Sequence, residues 1–110
     1  MTARLTASFW VAAYRARLEA LGIPVYVAAR GDETAGAVLV KLATLDGRAR
    51  LFGRIAALDG TRRWDIVADG AETEVDAIAA RHRARDPDLW IIEVEDRAGR
   101  HLLDEDGLSG

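Results

Sequence analysis

Residues Ala37 to Leu45 form a run with apolar side chains on both faces a strand would present, and Asp46-Gly47 follows it directly. A strand apolar on both sides belongs in the middle of a sheet, and Asp-Gly is the strongest short signal for a hairpin turn. The return stretch alternates, with Ala49, Leu51, Gly53 and Ile55 on one side and Arg48, Arg50, Phe52 and Arg54 on the other. A second Asp-Gly pair, Asp59-Gly60, leads into Arg62 to Val67, where Trp64 and Ile66 share a face. With Val25 to Ala29 as a further strand, these segments predict an antiparallel meander.

Helices flank it. Trp10, Tyr14, Leu18 and Leu21 recur at helical spacing over Thr6 to Leu21, with Val11 widening the stripe. Thr6 is a capping residue, and Leu5 and Trp10 occupy the positions of a hydrophobic staple. Gly22 supplies the left-handed stop and Pro24 forbids continuation. A second helix is expected from near Thr73, where Thr73 and Asp76 make a capping-box-like start. Its inner stripe is Val75, Ile78, Ala79 and His82, and it ends by Asp86 because Pro87 follows. Leu89 to Glu95 reads as the last long strand. The Asp96 to Arg100 turn then leads back into a short His101 to Leu103 strand, and residues 104–110 are expected to fray. The predicted order is α-β-β-β-β-α-β-β. That order makes residues 1–110 a single α+β domain, a two-layer sandwich with a mainly antiparallel sheet, both helices on one face and the arginines on the open side.

The chain contains no cysteine, so thiolate metal sites, disulfides and cysteine nucleophiles are excluded. A formal net charge of −3 with 30% charged residues gives no global pull toward nucleic acid. No secretory apolar core and no run long enough to span a membrane are present, so a cytoplasmic protein is expected. Nothing in the pattern calls for a cofactor.

Four local patterns bear on chemistry. Gly31 and Gly36 have the spacing of a phosphate loop, but Ala37-Val38 stand where Lys and Ser or Thr are needed and a strand follows, so this is a loop between strands. The Arg81 to Arg85 basic run closes a helix opened by Glu72, Glu74 and Asp76, an arrangement the helix dipole favours by itself. Arg48, Arg50 and Arg54, with Lys41 expected nearby, form a basic strand face that can track a phosphate backbone, unless acids such as Asp65 neutralise it. Glu93 and Glu95 share a strand face, with Asp96 and His101 across the turn, a donor set for a divalent cation. The same residues also read as an ordinary charged strand end and turn. A restriction-nuclease-like order of elements is rejected because Glu93-Val94-Glu95 lacks the required Lys. Trp10 and Trp64 read as core, and Trp90 as the anchor of the helix-to-strand turn through its indole N–H.

Several segments together resemble one family. They are Leu5 to Val11, Arg30-Gly31-Asp32 with Ala35 to Lys41, Leu45-Asp46-Gly47, Glu74 to Ala77, Asp86-Pro87-Asp88-Leu89-Trp90, and Glu93 to Arg97 with Gly99-Arg100-His101. On these the chain resembles the bacterial family known as domain of unknown function 1491, over nearly its whole length. The resemblance implies a small single-domain bacterial protein and carries no catalytic residues with it.

The expected function is therefore a non-enzymatic binding or accessory module with a protein partner or a second copy of itself, pairing through an edge such as Val25–Ala29 or His101–Leu103. The alternatives are a divalent-metal hydrolase or regulator using Glu93, Glu95, Asp96 and His101, and a nucleic-acid binder using Arg48, Arg50 and Arg54.

Overall fold

The structure, a computed structural model, describes residues 6–56 and 62–105. Leu5, the Asp59-Gly60 turn and the tail beyond Glu105 lie outside the described residues.

Helix α1 (Ala7–Ala20) begins where expected, with the Thr6 hydroxyl accepting a hydrogen bond from the Phe9 N–H at 3.3 Å. It stops at Gly22, whose φ of 73° lets the N–H groups of Gly22 and Ile23 turn back onto the carbonyls of Glu19 and Leu18. The strands are β1 (Val25–Ala29), β2 (Val38–Ala43), β3 (Arg48–Ala56), β4 (Arg62–Ala71) and β5 (Trp90–Glu95), with α2 (Glu72–Arg85) between the last two. They form one sheet in the order β1-β5-β2-β3-β4, in which β2 and β5 run parallel and every other pair antiparallel. The α+β class and the mainly antiparallel sheet are as predicted.

The layering is not. Val40, Leu42, Phe52, Trp90, Ile92 and Val94 pack against Trp10, Tyr14 and Leu18 of α1. Leu39, Leu51 and Ile91 pack against Val75 and Ala79 of α2. Successive strand side chains point to opposite faces, so the two helices cover opposite faces and the fold has three layers. The reason is topological. Parallel β2 and β5 need a crossover connection, and its helix, α2, occupies one face of the sheet. The other face of two strands apolar on both sides is left for α1 to cover. The plain meander fails on the same point, because β5 inserts between β1 and β2.

Residues 101–103 are not a strand either: they form an irregular segment on the α1 face, where Leu102 and Leu103 are buried and the Tyr14 hydroxyl donates to the His101 carbonyl at 2.7 Å. Burial pushes the Tyr14 hydroxyl well above its usual pKa. The N-terminus of α2 has no side-chain cap; the Glu72 N–H instead donates to the Gly47 carbonyl at 2.8 Å, and Asp76 is engaged elsewhere.

The loop between β1 and β2 is a structural hub. The Trp90 indole N–H donates to the Asp32 carbonyl at 2.7 Å, as expected of an anchor, and the Asp32 N–H donates to the Asp88 carbonyl. Gly31 and Gly36 lie where a Cβ would collide with the Asp88 carbonyl and the Trp90 ring. These glycines serve close packing. The same loop receives the first N–H groups of α1, from Ala7 to Thr34 and from Ser8 to Glu33.

Candidate functional site

Lys41 is the one lysine of the chain and the one buried charged residue among those described. It projects from the middle of β2 to the α2 face, where its Nζ lies 2.7 Å from Glu72, 2.6 Å from Asp76 and 2.9 Å from Glu93. Burial alone would lower its pKa, but the hydrogen bonds that it donates to Asp76, Glu72 and Glu93 outweigh that and hold the ammonium well above its ordinary value. An ammonium so firmly protonated is no nucleophile or base. It ties the first turn of α2 to the two central strands.

The four expected metal ligands are not brought together. Glu93 points to the α2 face and is held by Lys41. Glu95 shares that face. Both oxygens of Asp96 bind Arg100, at 2.7 Å to its backbone N–H and 3.0 Å to its guanidinium, which lowers the carboxyl pKa. His101 lies on the opposite face, its ring 4.7 Å from that of Phe52, and its Nδ1 accepts the Leu103 N–H at 3.0 Å. An accepting Nδ1 belongs to the neutral ring, in keeping with the burial that lowers its pKa. Among the described residues, no group of three or more His, Asp or Glu side chains is arranged to hold a metal ion.

The three strand arginines also part company. Arg54 is drawn into the α1 layer, its guanidinium 5.1 Å from the Trp10 ring centre and 4.9 Å from that of Trp64. Lys41 is on the other face altogether. Arg48 and Arg50 remain exposed, both directed at Asp69 on β4, at 3.7 and 3.4 Å. The neutralising acid is thus Asp69, which lies opposite Arg50 in the register.

Arg48 and Arg50 are joined by Arg97, which the sequence reading left out. The turn after β5 brings Arg97 over the β2–β3 hairpin, where its guanidinium donates to the Leu45 carbonyl at 3.5 Å. Leu45 itself is held at a φ of 63°, unusual for a non-glycine residue. Together with Thr44, Asp69 and Gly99 these arginines line an open groove of about 410 Å³. Asp46 at the rim accepts from the Thr44 hydroxyl at 2.6 Å and from the Arg48 N–H, which lowers its pKa. Three guanidinium groups therefore face two carboxylates, and one of those carboxylates is shared by two arginines.

The molecule is thus a small helix–sheet–helix domain with an arginine-lined groove at the end of its sheet. Within that class it belongs to a defined family: residues 5–104 match the model described as "Protein of unknown function (DUF1491)". Among solved structures it is similar to a crystal structure of a DUF1491 family protein from Caulobacter crescentus, with 45% identity over 93% of this chain and 97% of that one and a TM-score of 0.86. An NMR structure of a DUF1491 family protein from the same organism shares 43% identity over 94% and 96% of the two chains, TM-score 0.82. A solution structure of a protein from A. tumefaciens shares 30% identity over 96% and 92%, TM-score 0.73. No curated protein matches. No helix among the described residues is long and apolar enough to cross a membrane.

Proposed function

We propose that this chain is a non-enzymatic binding module that takes a small anionic ligand between Arg48, Arg50 and Arg97. The observation that carries this reading is the convergence of three guanidinium groups, from two distant parts of the chain, on one cavity with only two carboxylates. Guanidinium forks match phosphate and carboxylate oxygens in pairs. The position of Arg54 against the Trp10–Trp64 pair favours a compact anion over a nucleic-acid track along the strand. The separation of Glu93 and Glu95 from His101 disfavours a metal-dependent hydrolase. A cysteine-free composition suits action in the reducing cytoplasm.

The test is calorimetric titration of the protein with inorganic phosphate and citrate, repeated on Arg50→Ala and Arg97→Ala. Saturable binding that weakens about tenfold per arginine, the scale of one lost charge-assisted hydrogen bond, is expected. Unfolding curves of the variants should stay close to the parent, since both side chains are exposed. Absence of any saturable anion binding would overturn the reading, as would binding insensitive to both substitutions.

A further inference from the structure

Beside the arginine groove lies a second cavity of about 250 Å³ with a different lining: Phe52, Arg63, Trp64, His101, Leu103 and Asp104. No residue lines both cavities, but the same two segments of chain contribute to each. On the sheet side, Arg50 of the first and Phe52 of the second are two residues apart on one face of β3, which places them about 7 Å apart. On the other side, the chain after β5 supplies Arg97 to Gly99 to the first cavity and His101 to Asp104 to the second. That segment is pinned at both ends of this span. The Asp96–Arg100 pair holds its start, and the Tyr14 bond to the His101 carbonyl, with Leu102 and Leu103 in the core, holds the rest. Three aromatic residues, Phe52, Trp64 and His101, line the second cavity. The neutral His101 ring adds no charge to it. Ile66, opposite Phe52 in the register and 49% exposed, lies on the same face of the sheet. Arg63 and Asp104 stand at the cavity rim as one hydrogen-bond donor and one acceptor.

We propose that the two cavities form one site for a free 5′-mononucleotide, with the phosphate among Arg48, Arg50 and Arg97 and the base in the Phe52–Trp64–His101 cleft. This rests on the anion-groove reading and names the ligand for it. One ribose separates a nucleotide's phosphate from its base, which suits neighbouring cavities better than it suits an elongated strand. The net charge of −3 also disfavours a long polyanion.

The experiment is a titration of ¹⁵N-labelled protein with AMP, GMP, CMP and UMP, alongside ribose 5-phosphate and a 5′-phosphorylated tetrathymidylate, in the parent and in Arg63→Ala and Asp104→Ala. At least one mononucleotide should bind about tenfold or more tighter than ribose 5-phosphate, the scale of one base stacked on aromatic rings. It should shift the Trp64 indole N–H signal, and each rim substitution should pull its affinity toward that of ribose 5-phosphate. Equal affinity for ribose 5-phosphate and all four nucleotides would overturn the base cleft while leaving the anion groove standing. No binding by any of them, with phosphate and citrate also silent, would remove both. Tighter binding of the tetranucleotide than of every mononucleotide would overturn the assignment to a free nucleotide.

Discussion

Replacing Lys41 by Met keeps most of the unbranched side chain and removes its charge, leaving Glu72, Asp76 and Glu93 facing one another without a cation. Removing one partner from a buried ion pair costs about 3–5 kcal/mol. Lys41 qualifies as buried, with a side chain 5% exposed, but its partners keep 38%, 52% and 36% of their exposure, so water can take up part of the load. The lower end, about 3 kcal/mol, is the appropriate figure. For a domain of this size 1 kcal/mol moves the melting temperature by about 4–6 °C, so a fall of about 12–18 °C is expected in a calorimetric or circular-dichroism melt at pH 7. Two further arms separate charge from packing. Adding Glu72→Gln, Asp76→Asn and Glu93→Gln to the Lys41→Met background should restore most of the loss, since neutral amides do not repel. Raising the pH above 10.5 should narrow the gap between parent and single variant. A lysine whose folded pKa stands above its ordinary 10.5 contributes fully below pH 10.5, and that contribution is lost as pH rises through the folded value. A fall of less than about 4 °C for Lys41→Met, or a gap that does not change with pH, would refute the argument that this ammonium holds α2 to the sheet.

Other consequences are checked in the same way. Gly31→Ala would place a Cβ 2.6 Å from the Trp90 ring and 2.8 Å from the Leu89 carbonyl carbon, so a loss of about 1–3 kcal/mol is expected from urea midpoints. Arg54→Ala removes a cation packed against two indoles and should cost about 1–3 kcal/mol in stability. It should leave phosphate titration unchanged, whereas a strand-face nucleic-acid site would lose affinity. Burial holds the His101 pKa below its ordinary 6.5, so the unfolded chain takes up that proton more readily. Stability should be complete above pH 6.5 and decline as pH falls toward the folded value, and urea midpoints from pH 5 to 8 should flatten in His101→Gln.

The candidate site was only half legible. Arg48 and Arg50 follow from strand alternation, and both line the groove. Arg54 obeys the same alternation yet is withdrawn from the group, because α1 brings Trp10 to the far end of that face. Arg97 reads as an ordinary turn residue until the turn is seen to fold over the hairpin. Lys41 did leave a trace, as a lone lysine in a strand otherwise apolar on both faces. A buried ammonium demands partners, but they come from α2 and β5, and no local spacing announces them. Conversely, Asp-Pro-Asp-Leu-Trp and the glycines at 31 and 36, the most distinctive stretches of the sequence, turn out to hold one another in place: Asp32 meets Asp88 and Trp90 across the hub.

By itself the sequence determined what depends on near neighbours. Thr6 and Gly22 bound α1, Asp46-Gly47 turns the chain between β2 and β3, Pro87 closes α2, and two-residue periodicity marks the strands. These are short-range effects of backbone sterics and side-chain capping, and they are the same in any surroundings. Tertiary structure alone decided that β5 enters between β1 and β2, that the helices take opposite faces, and that residues 101–103 pack as an irregular wall. The physical reason lies in β2 and β5 themselves. Strands apolar on both sides must be covered twice, and which segments cover them depends on contacts between distant parts of the chain, formed by burial and not by pattern.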